Sequence, residues 1–190
     1  MVVGVLALQG DFEAHCAVLA SLGAGTRLVR TPKDLDGLDG LVMPGGESTT
    51  MTLGIQREGL AEPLRALARR GTPVLATCAG LIMLDRDHLD VLDIAVTRNA
   101  FGRQVNSFES DLEIGALGGG ALRAVFIRAP WVDDVGDGVE VLAELDGHPV
   151  AVRQRNVLAV AFHPELTDDP RVHAWLVEQI KSANGAMEAA

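Results

Sequence analysis

The chain has 190 residues, 48% of them hydrophobic, with two cysteines and a formal net charge of −10. At this length such an apolar fraction builds a substantial core, expected as a single domain over residues 1–190, and it excludes disordered, collagen-like and coiled-coil classes. With 26 acidic against 16 basic residues there is no concentrated basic face for a nucleic-acid backbone, and no apolar run is long enough to span a bilayer.

Residues 2–8 are continuously apolar and β-rich, which predicts a strand buried on both faces, as in a parallel sheet. They carry no basic leader, so no secretory signal is expected. Cys16 and Cys78 match neither a disulfide framework nor a metal spacing, and a reducing, cytoplasmic setting follows. After Gln9-Gly10, Asp11 can cap a helix running to Leu22, with Phe12, Cys16 and Leu19 on its core face and Gly23 as its stop. Strands are predicted at 26–29 and 40–43, at the short spacing of alternating β and α units that defines an α/β fold.

The third strand runs into Pro44-Gly45-Gly46-Glu47-Ser48-Thr49-Thr50, followed by a helical pattern through Met51, Ile55, Leu60, Leu64 and Leu67. Gly45-Gly46 lets the backbone approach a ligand closely. A phosphate loop is the rival use of such a corner, but no lysine follows the glycines and Glu47 repels a phosphate, so an amide donor to a carbonyl oxygen fits better.

Strand four, 74–76, ends at Thr77-Cys78-Ala79-Gly80 and turns directly into an apolar helix. A tight strand-to-helix corner projects its apex side chain from the sheet edge, and the helix dipole favours a thiolate there. Two roles fit Cys78 on this segment alone: a mounted nucleophile, or a small buried hydrophobe. Ligands in open α/β sheets bind beyond the carboxyl ends of the strands, so Gln9, Gly46 and Cys78 share one edge if their strands are parallel.

Beyond Leu84 strands are predicted at 94–97, 122–127, 139–145, 149–152 and 157–162, with hairpin turns at Asp146-Gly147 and Arg155-Asn156 and glycine-rich acidic loops around 115–120 and 133–138. This second half reads as largely antiparallel. A final helix at 171–181 buries Val172, Trp175, Leu176 and Ile180, and residues 184–190 are small and polar enough to fray. In Phe162-His163-Pro164-Glu165, an extended backbone turns His163 and Glu165 to one face, where a carboxylate fixes the tautomer of an imidazole that can take a proton from a thiol. The alternative is a core-capping histidine beside a solvated acid. His15 and His173 lie in helical patterns, His88 and His148 in a connection and a hairpin, and none clusters as metal ligands do.

Taken together, Gly4-Val5-Leu6-Ala7-Leu8-Gln9-Gly10, the 44–50 corner, Thr77-Cys78-Ala79-Gly80-Leu81-Ile82, Arg98-Asn99-Ala100-Phe101-Gly102-Arg103-Gln104, Phe126-Ile127-Arg128-Ala129-Pro130 and Phe162-His163-Pro164-Glu165-Leu166 resemble, in matching order, the glutaminase subunits of pyridoxal 5′-phosphate synthase, within the class I glutamine amidotransferases. The resemblance implies a flavodoxin-like, three-layer α/β fold with a central mixed sheet flanked by helices. It implies hydrolysis of L-glutamine to glutamate and ammonia by Cys78, His163 and Glu165, with Gly46 and Ala79 as oxyanion hole. Gly46, Glu47, Ser48, Arg98, Ile127 and Arg128 would bind substrate, Glu47 taking its ammonium. Gln9, Gly10 and Gly45 would respond to a (β/α)₈-barrel synthase subunit that receives the ammonia in a hetero-oligomeric complex. No cofactor or metal is implied. Two departures stand out: Ala76 occupies a position where glycine is usual, and the connection at 85–93 is short. A glutaminase for another synthase, such as imidazole glycerol phosphate synthase, and a cysteine-based redox or stress protein are the alternatives.

Overall fold

Cys78 and His163 owe their proximity to a sheet whose middle is parallel. The computed structural model describes residues 1–101 and 107–188. β1 (Val2–Leu6) leads through α1 (Phe12–Ser21) to β2 (Gly25–Val29), then to β3 (Gly40–Met43), α2 (Ser48–Arg57), α3 (Ala61–Arg69), β4 (Val74–Thr77) and α4 (Ala79–Leu84). β5 (Ile94–Thr97), β6 (Ser107–Glu113), β7 (Ala121–Ile127), β8 (Trp131–Val135), β9 (Glu140–Leu145), β10 (His148–Gln154), β11 (Val157–Val160) and α5 (Arg171–Glu188) follow.

The main sheet has seven strands in the order β2-β1-β3-β4-β11-β10-β9, and its first five are mutually parallel. That is the flavodoxin-like order, in which the strand order reverses between β1 and β3 and opens a crevice beyond their carboxyl ends. Gln9 follows β1 and the Gly45-Gly46 corner follows β3, so both lie at that crevice.

The sheet separates two apolar layers. Leu41, Met43, Val74, Ala76, Val157 and Ala159 face α2, α3 and α4 through Met51, Leu60, Leu67, Leu81 and Met83. Val42, Leu75, Leu158 and Val160 face the opposite side with Leu19 of α1 and Trp175, Leu176 and Ile180 of α5. This is the period-two alternation of strands buried on both faces in a three-layer α/β architecture.

Several expectations change. The single helical pattern after the glycine corner is two helices, because Gly59 takes a left-handed φ of 66° at the end of α2 and Pro63 sits in the first turn of α3. The second half is largely antiparallel as expected, but its last strand joins the parallel sheet: β10 pairs antiparallel with β9 and β11, and β11 runs parallel to β4, with Ala159 opposite Ala76 and Val160 opposite Thr77. All four β11 residues are buried, as an interior parallel strand requires. Two strands went unforeseen. β6 alternates Phe108 and Leu112 with acids whose partner is Arg123 on β7, and β8 pairs with β5 despite its two aspartates, so the 133–138 loop begins inside a strand. α5 also continues past the expected end at Lys181.

α4 seats on β3 only because Gly80 has no side chain: a Cβ there would stand 2.1 Å from the Met43 carbonyl oxygen. Gly80→Ala must push helix from strand. It should cost on the order of 2–4 kcal/mol of stability in urea denaturation, and an unchanged midpoint would show that α4 does not depend on this contact.

Candidate active site

β4 delivers Cys78 to the crevice in a constrained backbone. Cys78 has φ 47° and ψ −108°, a positive φ uncommon for a residue with a side chain, immediately before α4. Its N–H donates to the Val160 carbonyl (2.8 Å), and its carbonyl accepts from the Leu81 N–H (3.1 Å). The residue is 6% exposed, with Sγ 3.9 Å from the Ile127 carbonyl oxygen. Ala76, where the resemblance expects glycine, packs between Met43 and Ala159 in the register of the sheet. The short 85–93 connection is pinned by Asp85, which accepts from the His88 ring (2.7 Å), and by buried Leu89 and Leu92.

β11 brings His163 to the same edge, and the His163 N–H donates to the Val125 carbonyl of β7 (2.8 Å). His163 Nδ1 lies 2.7 Å from Glu165 Oε1. Strand alternation does not produce this pair: β11 ends at Val160, and Pro164–Leu166 forms a 3₁₀ turn that folds the carboxylate back beneath the ring. Burial pulls the His163 pKa down, but the neighbouring Cys78 and the hydrogen bond with Glu165 outweigh it and carry the imidazole up to about 10. Burial pushes the Glu165 carboxyl up, while the His163 hydrogen bond and the neighbouring His15 and His163 hold it below the usual carboxylate range. The pair therefore favours an imidazolium beside a carboxylate.

The glycine corner wraps around these groups. A Cβ on Gly45 would meet His163 Cε1 at 2.5 Å and Cys78 Cβ at 3.1 Å. Gly46 has φ 147°, and a Cβ there would lie 1.9 Å from Gln9 Oε1, the atom that accepts from the Glu47 N–H (2.5 Å). Gly10, with φ 92°, abuts the Gly45 carbonyl, so Gln9-Gly10 and Gly45-Gly46 interlock as backbone against backbone.

A cavity of about 220 Å³ opens between them, large enough for an amino acid, and Gly46, Glu47, Ser48, Cys78, Ala79, Arg98, Ile127, Arg128 and His163 all line it with Gln9. Gly10, Gly45 and Glu165 lie behind its wall. Glu47 is already engaged: as N-cap of α2 its carboxylate accepts from the Thr49 N–H (3.0 Å) and the Thr50 N–H (2.7 Å), and Arg98 approaches it at 3.4 Å. The Thr49 and Thr50 amide hydrogen bonds hold its carboxyl down near about 2. Ile82, one helical turn beyond Cys78, and Asn99 complete the lining, and neither was singled out in the sequence. Gly102, Arg103 and Gln104 lie outside the described residues. Among the described residues no group of three or more His, Cys, Asp or Glu could hold a metal ion, and no helix is long and apolar enough to cross a membrane.

The family model of the SNO glutamine amidotransferases matches residues 5–182. The chain belongs to that family. Curated relatives include the pyridoxal 5′-phosphate synthase subunits PdxT of Streptomyces griseus (53% identical, covering 96% of this chain and 98% of the relative) and Mycobacteroides abscessus (52%, covering 95% and 97%). A solved structure titled as a glutamine amidotransferase superposes with a TM-score of 0.89 at 47% identity, covering 95% of this chain and all of that one. A putative GMP synthase subunit from Thermoplasma acidophilum, 20% identical with a TM-score of 0.76 over 99% of this chain and 98% of its own, shares the fold.

Within this SNO-family site, two histidines set aside in the sequence prove to be buried next to Glu165. His15 of α1 and His173 of α5 are fully buried, with His15 Nδ1 2.9 Å from His173 Nε2 and His15 Nε2 3.4 Å from Glu165 Oε2. The core face of α1 is His15 and Leu19, while Cys16, expected in the core, is half-buried. The i, i+4 spacing of His15 and Leu19 was the signal available.

Burial lowers both imidazoles, His173 to about 3 from its ordinary 6.5. The unfolded chain therefore binds protons below about 6.5 that the folded chain refuses, and stability falls as pH drops through that window. Between about pH 6.5 and pH 5, His163 stays protonated in the folded state while the unfolded chain completes its own protonation, a small gain common to wild type and variant, and the Glu165 contribution is lost only lower, below the usual carboxylate range. Wild type should lose on the order of 2 kcal/mol more than His173→Leu over this interval, measured by urea denaturation; parallel losses would mean that His173 is not held neutral.

Proposed function

We propose that this chain, acting as a single cytoplasmic domain, is the glutaminase subunit of a pyridoxal 5′-phosphate synthase. Cys78 attacks the side-chain carbonyl carbon of L-glutamine, and the developing oxyanion takes hydrogen bonds from the Gly46 and Ala79 backbone N–H groups. His163, its ring oriented by Glu165, passes its Nε2 proton to the departing amine, which leaves as ammonia with formation of a thioester. Water, deprotonated by the same nitrogen, then attacks the thioester, and glutamate leaves as the thiol is restored.

One observation carries this reading: a cysteine on a strained corner shares a cavity wall with an imidazole that has one nitrogen 2.7 Å from a buried carboxylate. Ser48 and Ile127 flank the substrate, Arg98 and Arg128 meet its carboxylate, and Glu47 meets its ammonium through whatever lone pairs its capping bonds leave open. The relatives at 52–53% identity, pyridoxal 5′-phosphate synthase subunits, support the destination of the ammonia.

Ammonia released into water at neutral pH is protonated and lost as a nucleophile, so a donor subunit is useful only when docked on its acceptor. The acceptor proposed here is a synthase subunit with a (β/α)₈ barrel. Gln9, Gly10 and Gly45 sit where docking would adjust the Gly46 donor, because Gln9 Oε1 already holds the next amide.

With that synthase subunit present, Cys78→Ala should lower glutamate release at least about 10³-fold, and His163→Asn similarly. Substantial turnover by Cys78→Ala would remove the nucleophile from the mechanism. Activation only by an imidazole glycerol phosphate synthase barrel would reassign the partner.

A further inference from the structure

Glu165 presents one oxygen to His163 and turns the other, Oε2, into the interior. Oε2 is buried without a hydrogen bond of ordinary geometry, and His15 Nε2 lies 3.4 Å from it. A carboxylate can only accept, so a lone pair facing it would repel it and a proton facing it would bind it. A hydrogen on His15 Nε2 thus favours this placement of Oε2, and a lone pair there opposes it.

Tautomers follow along the chain of rings. A neutral His15 protonated at Nε2 has a bare Nδ1, which accepts from His173 Nε2–H at 2.9 Å. His173 is then bare at Nδ1, the other buried side-chain atom without a hydrogen-bond partner among the described residues. An unpartnered lone pair is tolerated better than an unpartnered N–H. The reverse assignment strands a buried N–H on His173 and sets a lone pair against the carboxylate. Thr77 Oγ1, 3.4 Å from His15 Nε2, is the remaining polar neighbour.

The geometry points to His15 as a positioning residue: its Nε2–H, fixed in that tautomer by His173, holds Oε2 of Glu165 so that Oε1 stays on Nδ1 of His163. This rests on the Cys78–His163–Glu165 mechanism proposed above. His15 must remain neutral for it. A charged imidazole there would draw the carboxylate's charge away from His163, whereas a neutral donor orients the carboxylate and leaves its charge in place. Burial and the nearby His163 favour the neutral form against the opposing pull of Glu165 and Asp11. The groups facing His15 are Asp11 on its own helix, Thr77 at the end of β4, His163 and Glu165 after β11, and His173 on α5.

The test compares His15→Leu, which fills the site without a donor, with His15→Gln, whose side-chain amide can donate to Oε2. Glutamate release is measured in the complex with the synthase subunit, and alkylation of Cys78 by iodoacetamide is followed against pH in the same preparations. His15→Leu should lower kcat by about tenfold or more, as a small misplacement of a catalytic group does, with KM within about twofold of wild type. Its alkylation profile should move its acid limb upward by about one pH unit, because a carboxylate that loses a donor is protonated sooner. His15→Gln should recover most of the kcat. A folded His15→Leu with wild-type kcat and profile would overturn the assignment, as would equal losses in both variants that track their melting temperatures.

Should His15→Leu not fold, ¹⁵N spectra of the wild-type imidazoles decide: an Nε2–H tautomer at His15 supports the assignment and an Nδ1–H tautomer overturns it. Cys78→Ala separates the two levels. Retained turnover there removes the mechanism itself, whereas a dead Cys78→Ala beside an unaffected His15→Leu removes only the role of His15.

Discussion

The 2.8 Å hydrogen bond from the Cys78 N–H to the Val160 carbonyl joins the two halves of the site, and much of the structure exists to make it possible. It is the last rung of the parallel pairing between β4 and β11, whose register sets Val160 opposite Thr77. Because the strands run the same way, both chains leave the sheet at one edge, one turning sharply into α4 and the other into the Pro164–Leu166 turn. Strands separated by some eighty residues of sequence pair only if what lies between returns the chain, which the β5–β8 and β6–β7 ribbons and the β9–β10 hairpin accomplish. An antiparallel β11 would have carried His163 to the opposite edge, away from the thiol.

Once that pairing is set, steric exclusion builds the rest of the cavity wall. Gly10 against the Gly45 carbonyl, Gly45 against the His163 ring and Gly80 against the Met43 carbonyl leave no room for a Cβ, and one on Gly46 would displace the Gln9 side chain. Backbone amides thereby come within reach of a small substrate without intervening side chains. The same closeness makes the corner sensitive to small displacements, since Gln9 holds the Glu47 amide directly and any movement of the Gln9-Gly10 loop is transmitted to the Gly46 peptide.

The parts of this fold legible in the sequence were those written in local chemistry. The apolar runs of β1, β3 and β4, the cap at Asp11, the left-handed turns at Asp146-Gly147 and Arg155, and the corner at Cys78 each announce themselves within a few residues. What sequence reading missed was decided by partners distant along the chain. The parallel sense of β11 depends on β4, and β6 is a strand because Arg123 and Phe126 across the ribbon offer its acids a partner and Phe108 a stacking face at 4.8 Å. Likewise Glu165 reached His163 through a turn, although the alternation argument had brought the two together for the wrong reason. His15 and His173 look like ordinary helix residues until α1 and α5 pack on the same side of the sheet.

That packing exposes a tension in burying a charged pair. Glu165 is kept ionised in the interior, where an unpaired carboxylate oxygen is costly and a full counter-charge on the far side would compete with His163 for it. A neutral donor resolves the conflict, because it hydrates one oxygen as water would without bringing charge or solvent into the core. Two hydrogen-bonded imidazoles supply such a donor and settle which nitrogen carries the proton, at the expense of a fold that weakens in acid. The orientation of the ring beside Cys78 thus depends on helices that never touch the cavity, and the reach of the site extends through the full thickness of the α1–α5 layer.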